Sequence, residues 1–170
     1  MFFRAFLLSF VLMLAVGCGY KPSSYYTHNI LRDKIYVDVE SSLQDPENTV
    51  LIKDAINEVL VSKFHAKLVS KDRADAKLFV KLKSVSFEPI QYDQNGFVIA
   101  YKTLVVLDSK YESPKEVKNI ITKGEYDFPI KSNSVISDRK RFEAIKFASK
   151  KAIGEFISKI AVEGMLNDDK

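Results

Sequence analysis

Residues 76–107 read AKLFVKLKSVSFEPIQYDQNGFVIAYKTLVVL, and we expect the fold to be built around this segment. In its first seven residues, apolar side chains occupy every second position, which is the period of a half-buried strand. The Asn-Gly pair near its middle is the strongest short-range signal for a β-hairpin turn. The return segment is apolar on both faces apart from Lys102 and Thr103. The stretch therefore predicts a long antiparallel hairpin.

The apolar alternation of the first strand changes sides after Ser84. Leu78, Val80 and Leu82 share one face before this point, and Val85 and Phe87 are the apolar residues after it. One explanation is a β-bulge that rotates the strand. The other is a second apolar sheet face that a partner protein or acyl chains would cover. This candidate partner surface consists of Phe79, Val85, Phe87, Leu104 and Val106.

The flanking segments show the same two periods. KIYVDVE at 34–40 alternates as a strand, and an apolar stripe with helical spacing predicts a helix over about 46–64. A short strand is expected near 66–70. Farther along, Pro129 favours an edge strand or a strand end for the alternating segment around it. A last amphipathic helix is predicted from Ser137 or Asp138 to near Gly164.

These elements follow the order β-α-β-β-β-β-α. Two amphipathic helices must bury their apolar stripes, and the economical arrangement places both on one face of the sheet. We therefore predict an α+β fold: a two-layer sandwich with a four- to five-stranded, mostly antiparallel or mixed sheet. Residues 34–163 would form a single domain, and 164–170 a flexible tail.

The N-terminal segment has the layout of an export signal. An apolar run of about a dozen residues follows Arg4, and this length is too short to span a bilayer as a helix. The sole cysteine, in LAVGCG, resembles the acylated cysteine of the bacterial lipobox. A plain secretory signal and an uncleaved anchor are the alternatives. A plain signal would leave one unpaired, reactive thiol in an oxidising compartment.

We therefore predict a lipoprotein signal peptide at residues 1–17 and lipid attachment at Cys18. Residues 18–33 would form an extended leader between the anchor and the domain. Gly19, directly after the cysteine, favours sorting to the outer membrane.

No catalytic or metal-binding motif stands out in the chain. His28 and His65 have no nucleophile or carboxylate partner near them in sequence, and P-loop, G-x-S-x-G and H-E-x-x-H motifs are missing. With Cys18 acylated, no thiolate remains for zinc. Export and a formal net charge of +4 fit poorly with nucleic-acid binding. We expect neither an enzyme nor a cofactor.

Basic residues are the remaining chemical signal. Lys81 and Lys83 lie on the first hairpin strand and Lys102 on the second; they form either an ordinary solvated surface or an anion site. At the start of the last helix, residues 139–141 read Arg-Lys-Arg, although the helix dipole favours negative charge there. This mismatch suggests a charge placed for a partner.

Four segments carry a resemblance to a known family: GCGYKP, the β-α opening, RADAKLFVKL, and the closing helix RFEAIKFASKKAIGEFISKI. Together they resemble the LptE family of lipopolysaccharide-assembly lipoproteins. The resemblance implies a non-enzymatic outer-membrane lipoprotein that plugs the LptD β-barrel, helps it assemble and binds lipopolysaccharide. We suggest Lys81, Lys83 and Lys102 as lipopolysaccharide-binding residues. This choice rests on surface chemistry, because none of the three matches a family motif.

Two other functions remain open at this point. One is an auxiliary lipoprotein of an MCE-type envelope lipid transporter. The other is a structural envelope lipoprotein without lipid cargo.

Overall fold

The computed structural model describes residues 34–40, 46–114 and 116–168, with the side chains of 163–168 left out. The predicted signal peptide, the attachment site at Cys18 and the leader at 18–33 lie outside these residues.

Five strands form one open, mixed sheet in the order β2-β1-β3-β4-β5. β1 runs parallel to both β2 and β3, whereas β3, β4 and β5 are antiparallel neighbours. The predicted long hairpin is confirmed as β3 and β4. β5 is an edge strand that ends at Pro129, where the missing N–H costs no ladder bond. The strands are β1 Lys34–Val39, β2 Lys67–Leu68, β3 Ala76–Tyr92, β4 Val98–Glu112 and β5 Val117–Pro129.

Two helices complete the predicted α+β class: α1, Pro46–Phe64, and α2, Asp138–Asp168. Ser137 caps α2, because its carbonyl accepts the N–H of Arg141 at 2.9 Å and its hydroxyl accepts that of Lys140 at 3.4 Å. α2 continues beyond Gly164, where the sequence predicts its end. Within the described residues, we find no helix with the length and apolar character that crossing a bilayer requires.

Both helices pack on one face of the sheet and form a single core with it. α1 lies over β1 and β2, and α2 lies over β4 and β5. Apolar side chains from the two helices and three strands meet there because each element has one apolar face. The largest fully buried side chains include Ile35, Ile52, Leu78, Leu107, Tyr111, Ile153 and Phe156.

A β-bulge explains the change of side in β3. Leu82 pairs with Leu107 and Ser84 pairs with Val106, so Lys83 is an extra residue in the ladder. Val85 then faces the core opposite Val105, and Phe87 also packs against the core. The bulge explanation is therefore confirmed.

The placement of Val85 and Phe87 on a second apolar face is wrong. The bulge returns both side chains to the helix-covered side, where they extend the core. Phe79, Leu104 and Val106 lie on the opposite side of the sheet, because residues next to them in the chain are buried against the helices.

The hairpin turn and the loop before α2 meet at one end of the sheet, which we call the distal end. The Asp93 carboxylate accepts N–H bonds from Asn95 and Phe97, each at 2.9 Å, and Gly96 has a φ of +82°. The same carboxylate accepts the hydroxyl of Ser132 from the β5–α2 loop. This side chain therefore connects the hairpin turn to that loop.

Candidate functional site

The sheet face opposite the helices, which we call the open face, has an apolar strip at its centre. Leu104 pairs with Ser86 on one neighbouring strand, and Val106 pairs with Ser84. Because the serine side chains are short, the two aliphatic side chains remain only half-buried. No described helix covers this strip, so it can receive another surface.

Lys81 lies on the open face within an ion-pair network. Its Nζ is 2.8 Å from Oε1 of Glu40, and Asp108 is its cross-strand neighbour. The hydrogen bond to Glu40, followed by the charges of Glu40 and Asp108, raises the pKa of Lys81. These residues, with Asp38, Phe79, Val80 and Lys110, line a shallow cavity of about 370 Å³.

Lys102 lies among three carboxylates near the distal end of the open face. Its Nζ is 3.0 Å from Oε2 of Glu125, and Asp127 and Glu88 are its cross-strand neighbours. The hydrogen bond to Glu125, then the charges of Glu125, Asp127 and Glu88, raise the pKa of Lys102. With three negative charges around one positive charge, this position does not attract an anion as it stands.

The structure does not bring the three predicted lysines together. Lys81 pairs with Asp108, six residues along β4 from Lys102, so the two backbone positions are about 20 Å apart. Lys83 lies at the bulge, exposed and without an ion pair to any described residue. Lys83 is thus the one member of the set whose charge is not already neutralised.

A second group of cations lies at the distal end, in a groove between the β5–α2 loop and the start of α2. Lys131 and Arg139 have no ion pair within the described part of the chain, while Lys140 is 3.8 Å from Glu143. Val135 beside them is 89% exposed. This distal groove measures about 510 Å³ and is lined by Pro129, Ile130, Lys131, Ser134, Val135, Ser137, Arg139 and Lys140.

Aromatic packing supports the start of α2, which forms one wall of the distal groove. The Arg141 guanidinium lies 5.2 Å from the ring centroid of Phe87, and Phe87 meets Phe128 edge-on at 6.4 Å. On the loop side, the bond from Ser132, more than any other contact, lowers the pKa of Asp93. An ionised Asp93 therefore holds the loop to the hairpin turn.

Sequence reasoning identified only part of this groove. The Arg-Lys-Arg run at 139–141 was a visible signal, because cations oppose the dipole at a helix start. Lys131 and Val135 gave no such signal, since a lysine and a valine in a polar loop are unremarkable until the fold places them beside α2.

A family comparison covers most of the described structure. The model of the LptE family, described as lipopolysaccharide-assembly, matches residues 33–160. This chain belongs to the LptE family. The matched range includes all five strands, the open face and the distal groove of this LptE-family protein. A comparison with curated proteins finds no match.

Solved structures show how this LptE-family fold compares with others. A protein from Xanthomonas campestris has a TM-score of 0.54 and 10% identity, covering 81% of this chain and 88% of its own. The rare lipoprotein B from Shewanella oneidensis has a TM-score of 0.47 and 14% identity, covering 79% of this chain and 99% of its own. At 10% identity, the similarity to the Xanthomonas campestris protein shows a shared fold and nothing about function.

Proposed function

We propose that this LptE-family protein is an outer-membrane lipoprotein that helps to assemble and plug an LptD-like β-barrel and binds lipopolysaccharide during its delivery to the cell surface. Membership of the lipopolysaccharide-assembly family supports the general role. The distal groove is the observation that carries the binding step. The proposal includes no catalytic reaction and no cofactor.

The distal groove suits an anionic amphiphile because it combines free positive charge with exposed apolar surface. Lys131 and Arg139 are available for phosphate groups, and an arginine can bind a phosphate through two parallel hydrogen bonds. Val135 and Ile130 offer apolar contact to acyl chains. Lipid A presents both chemical groups in one molecule.

The three hairpin lysines remain in the proposal with unequal roles. Lys83 is free to meet a phosphate, whereas Lys81 and Lys102 must first exchange Glu40 and Glu125 for the ligand. Because this exchange costs two existing ion pairs, we expect the distal groove to contribute more to binding than the hairpin lysines do.

Lipopolysaccharide binding is tested with two charge-reversal variants of the full chain. One carries Lys81→Glu, Lys83→Glu and Lys102→Glu, and the other carries Lys131→Glu and Arg139→Glu. We expect the groove variant to lose at least about tenfold in affinity, because each reversal turns attraction of a phosphate into repulsion.

A matched control for charge reversal is Lys53→Glu with Lys151→Glu, two exposed lysines outside both sites. Lipopolysaccharide binding that survives both test variants unchanged would refute the binding step. Loss in the hairpin variant alone would assign the site to Lys81, Lys83 and Lys102.

The open face is the surface we propose for the barrel. Leu104 and Val106 supply an apolar strip, and the ion pairs of Lys81 and Lys102 on either side supply a polar rim, as in protein interfaces. The variant Leu104→Asp with Val106→Asp should reduce co-purification of the barrel. Val50→Asp with Val61→Asp, at exposed positions on α1, is the control.

Co-purification also separates the alternative functions. Recovery of an LptD-like barrel supports the proposal, whereas recovery of an inner-membrane transporter would support the auxiliary role in lipid transport. If depletion leaves barrel assembly and surface lipopolysaccharide unchanged, the proposed function is wrong. Cys18→Ala should release the protein from the outer-membrane fraction if this residue carries the lipid.

A further inference from the structure

Cations also collect at the end of the sheet opposite the distal groove. This basic end includes the last turn of α1, both residues of β2, the 3-10 turn at 71–73 and the first residues of β1 and β3. Lys34 and Lys67 are register partners on adjacent strands, and the carbonyl of Lys34 accepts the N–H of Asp75 at 2.9 Å. The six cations of the basic end are Lys34, Lys63, Lys67, Lys71, Arg73 and Lys77.

The basic end brings together several cations that have no carboxylate partner among the described residues. Elsewhere, lysines such as Lys110, Lys146 and Lys159 form ion pairs with carboxylates. None of the six cations has an ion pair with a described residue. Asp72 in the turn and Asp75, just before β3, are the acidic residues closest in sequence to these cations, and the nearby Glu112 is bound by Lys110 at 2.6 Å. The basic end therefore keeps a net positive charge.

An apolar side chain lies within this charge. Leu68 of β2 is 39% exposed and follows Lys67 directly. Lysines around an exposed leucine form the combination that binds at the boundary between lipid headgroups and acyl chains. A free phosphate or an acidic peptide would use the charge but not the leucine.

The course of the chain places the basic end toward the N-terminal segment. Lys34 is the first described residue, so residues 1–33 join the domain here. The hairpin turn lies at the other end of β3, whose 17 residues span about 55 Å. A chain anchored through its N-terminal segment would therefore have its tether joined to the basic end.

We propose that the basic end docks on a bilayer surface that contains anionic phospholipid. This inference rests on the proposed membrane location but not on lipopolysaccharide binding or on the barrel. In the free chain, before it enters a barrel, docking would hold the sheet upright, with the distal groove about 50 Å from the membrane surface.

The orientation of the full chain on vesicles tests this proposal. A fluorescent donor is placed at Ser70, in the basic end, or at Gln94, in the hairpin turn, and energy transfer is measured to an acceptor among the lipid headgroups. Vesicles contain phosphatidylcholine alone or with about a third phosphatidylglycerol. We expect transfer from Ser70 to rise on anionic vesicles, transfer from Gln94 to stay low, and the rise to disappear in about 0.5 M salt.

Neutralising part of the basic end tests the residues themselves. Lys67→Gln with Lys71→Gln and Arg73→Gln should shift the docking equilibrium about a hundredfold toward release, since each cation near an anionic surface contributes about fivefold. Lys53→Gln with Lys123→Gln and Lys151→Gln removes the same charge elsewhere and should leave transfer unchanged.

Two results would overturn the proposal. One is equal transfer from Ser70 on neutral and anionic vesicles. The other is a basic-end variant that keeps its transfer on phosphatidylglycerol but loses binding to lipopolysaccharide, which would assign the basic end to that ligand. Failure to recover a barrel partner would refute the proposed function and leave these measurements unaffected.

Discussion

Gly124 gives the sharpest prediction about how this fold is held together. This glycine lies in β5 where α2 crosses the strand, with Ala148 and Ala152 of α2 directly against it. Both alanines are fully buried. A strand glycine at a close approach of two backbones leaves no room for a side chain. We therefore expect Gly124→Ala to force the helix and the sheet apart.

The magnitude follows from the distances at this crossing. A Cβ at position 124 would lie 1.9 Å from the carbonyl oxygen of Ala148 and 2.5 Å from the amide nitrogen of Ala152. The helix would have to retreat by about 1 Å to relieve the closer contact, and neither contacting group is a flexible side chain. We expect the free energy of unfolding to fall by about 3 kcal/mol. The melting temperature would fall by roughly 10 °C.

Urea unfolding of the two glycine-to-alanine variants provides the measurement. Gly154 lies within α2 with open space at its Cβ position, so Gly154→Ala should raise the free energy of unfolding by up to about 1 kcal/mol through helix propensity. The same glycine-to-alanine substitution should therefore lower the free energy of unfolding at position 124 and raise it at position 154. A stability of Gly124→Ala equal to the unsubstituted protein or to Gly154→Ala would refute the close-crossing argument.

Three further substitutions test single features. The hydroxyl of buried Thr122 has no hydrogen-bond partner among the described residues, so Thr122→Val should stabilise by about 1 kcal/mol in urea unfolding. His65 follows α1 with a φ of 53°, and His65→Gly should raise the melting temperature by about 3 °C by removing left-handed strain. Hydrogen bonds from Lys150 and Lys146 lower the pKa of Glu58, which joins the helices. Because the folded-state pKa of Glu58 is depressed, the stabilisation from its lysine contacts is present above the ordinary pKa range of glutamate and disappears as the pH falls through the lowered pKa. We therefore expect Glu58→Gln to flatten the acid limb, which is the fall in the free energy of unfolding at low pH.

Each of these substitutions has an outcome that contradicts its reason. Thr122→Ser keeps a hydroxyl, so a gain equal to that of valine would exclude the unpaired hydroxyl as the cause. A His65→Ala variant as stable as His65→Gly would show that the backbone angle carries no strain. If Glu58→Gln leaves the acid limb unchanged, the contacts with the two lysines do not stabilise the folded state.

The sequence alone predicted the elements that depend on local periodicity. The bounds of α1 and the start of β3 are as expected, and the cap of α2 is one of the two residues predicted, because apolar spacing, proline and capping side chains act within a few residues. The edge position of β5 follows similarly from Pro129, which cannot donate to a second ladder. Such signals need no knowledge of what lies across the sheet.

Register and charge pairing were decided by the tertiary structure. The side change after Ser84 was compatible with a bulge or with a second apolar face, and only pairing with β4 distinguishes them. The partners of Lys81 and Lys102, Glu40 and Glu125, are 41 and 23 residues away in the chain. An isolated sequence shows which charges exist but not which of them meet, because their distances are set by the packing of remote strands.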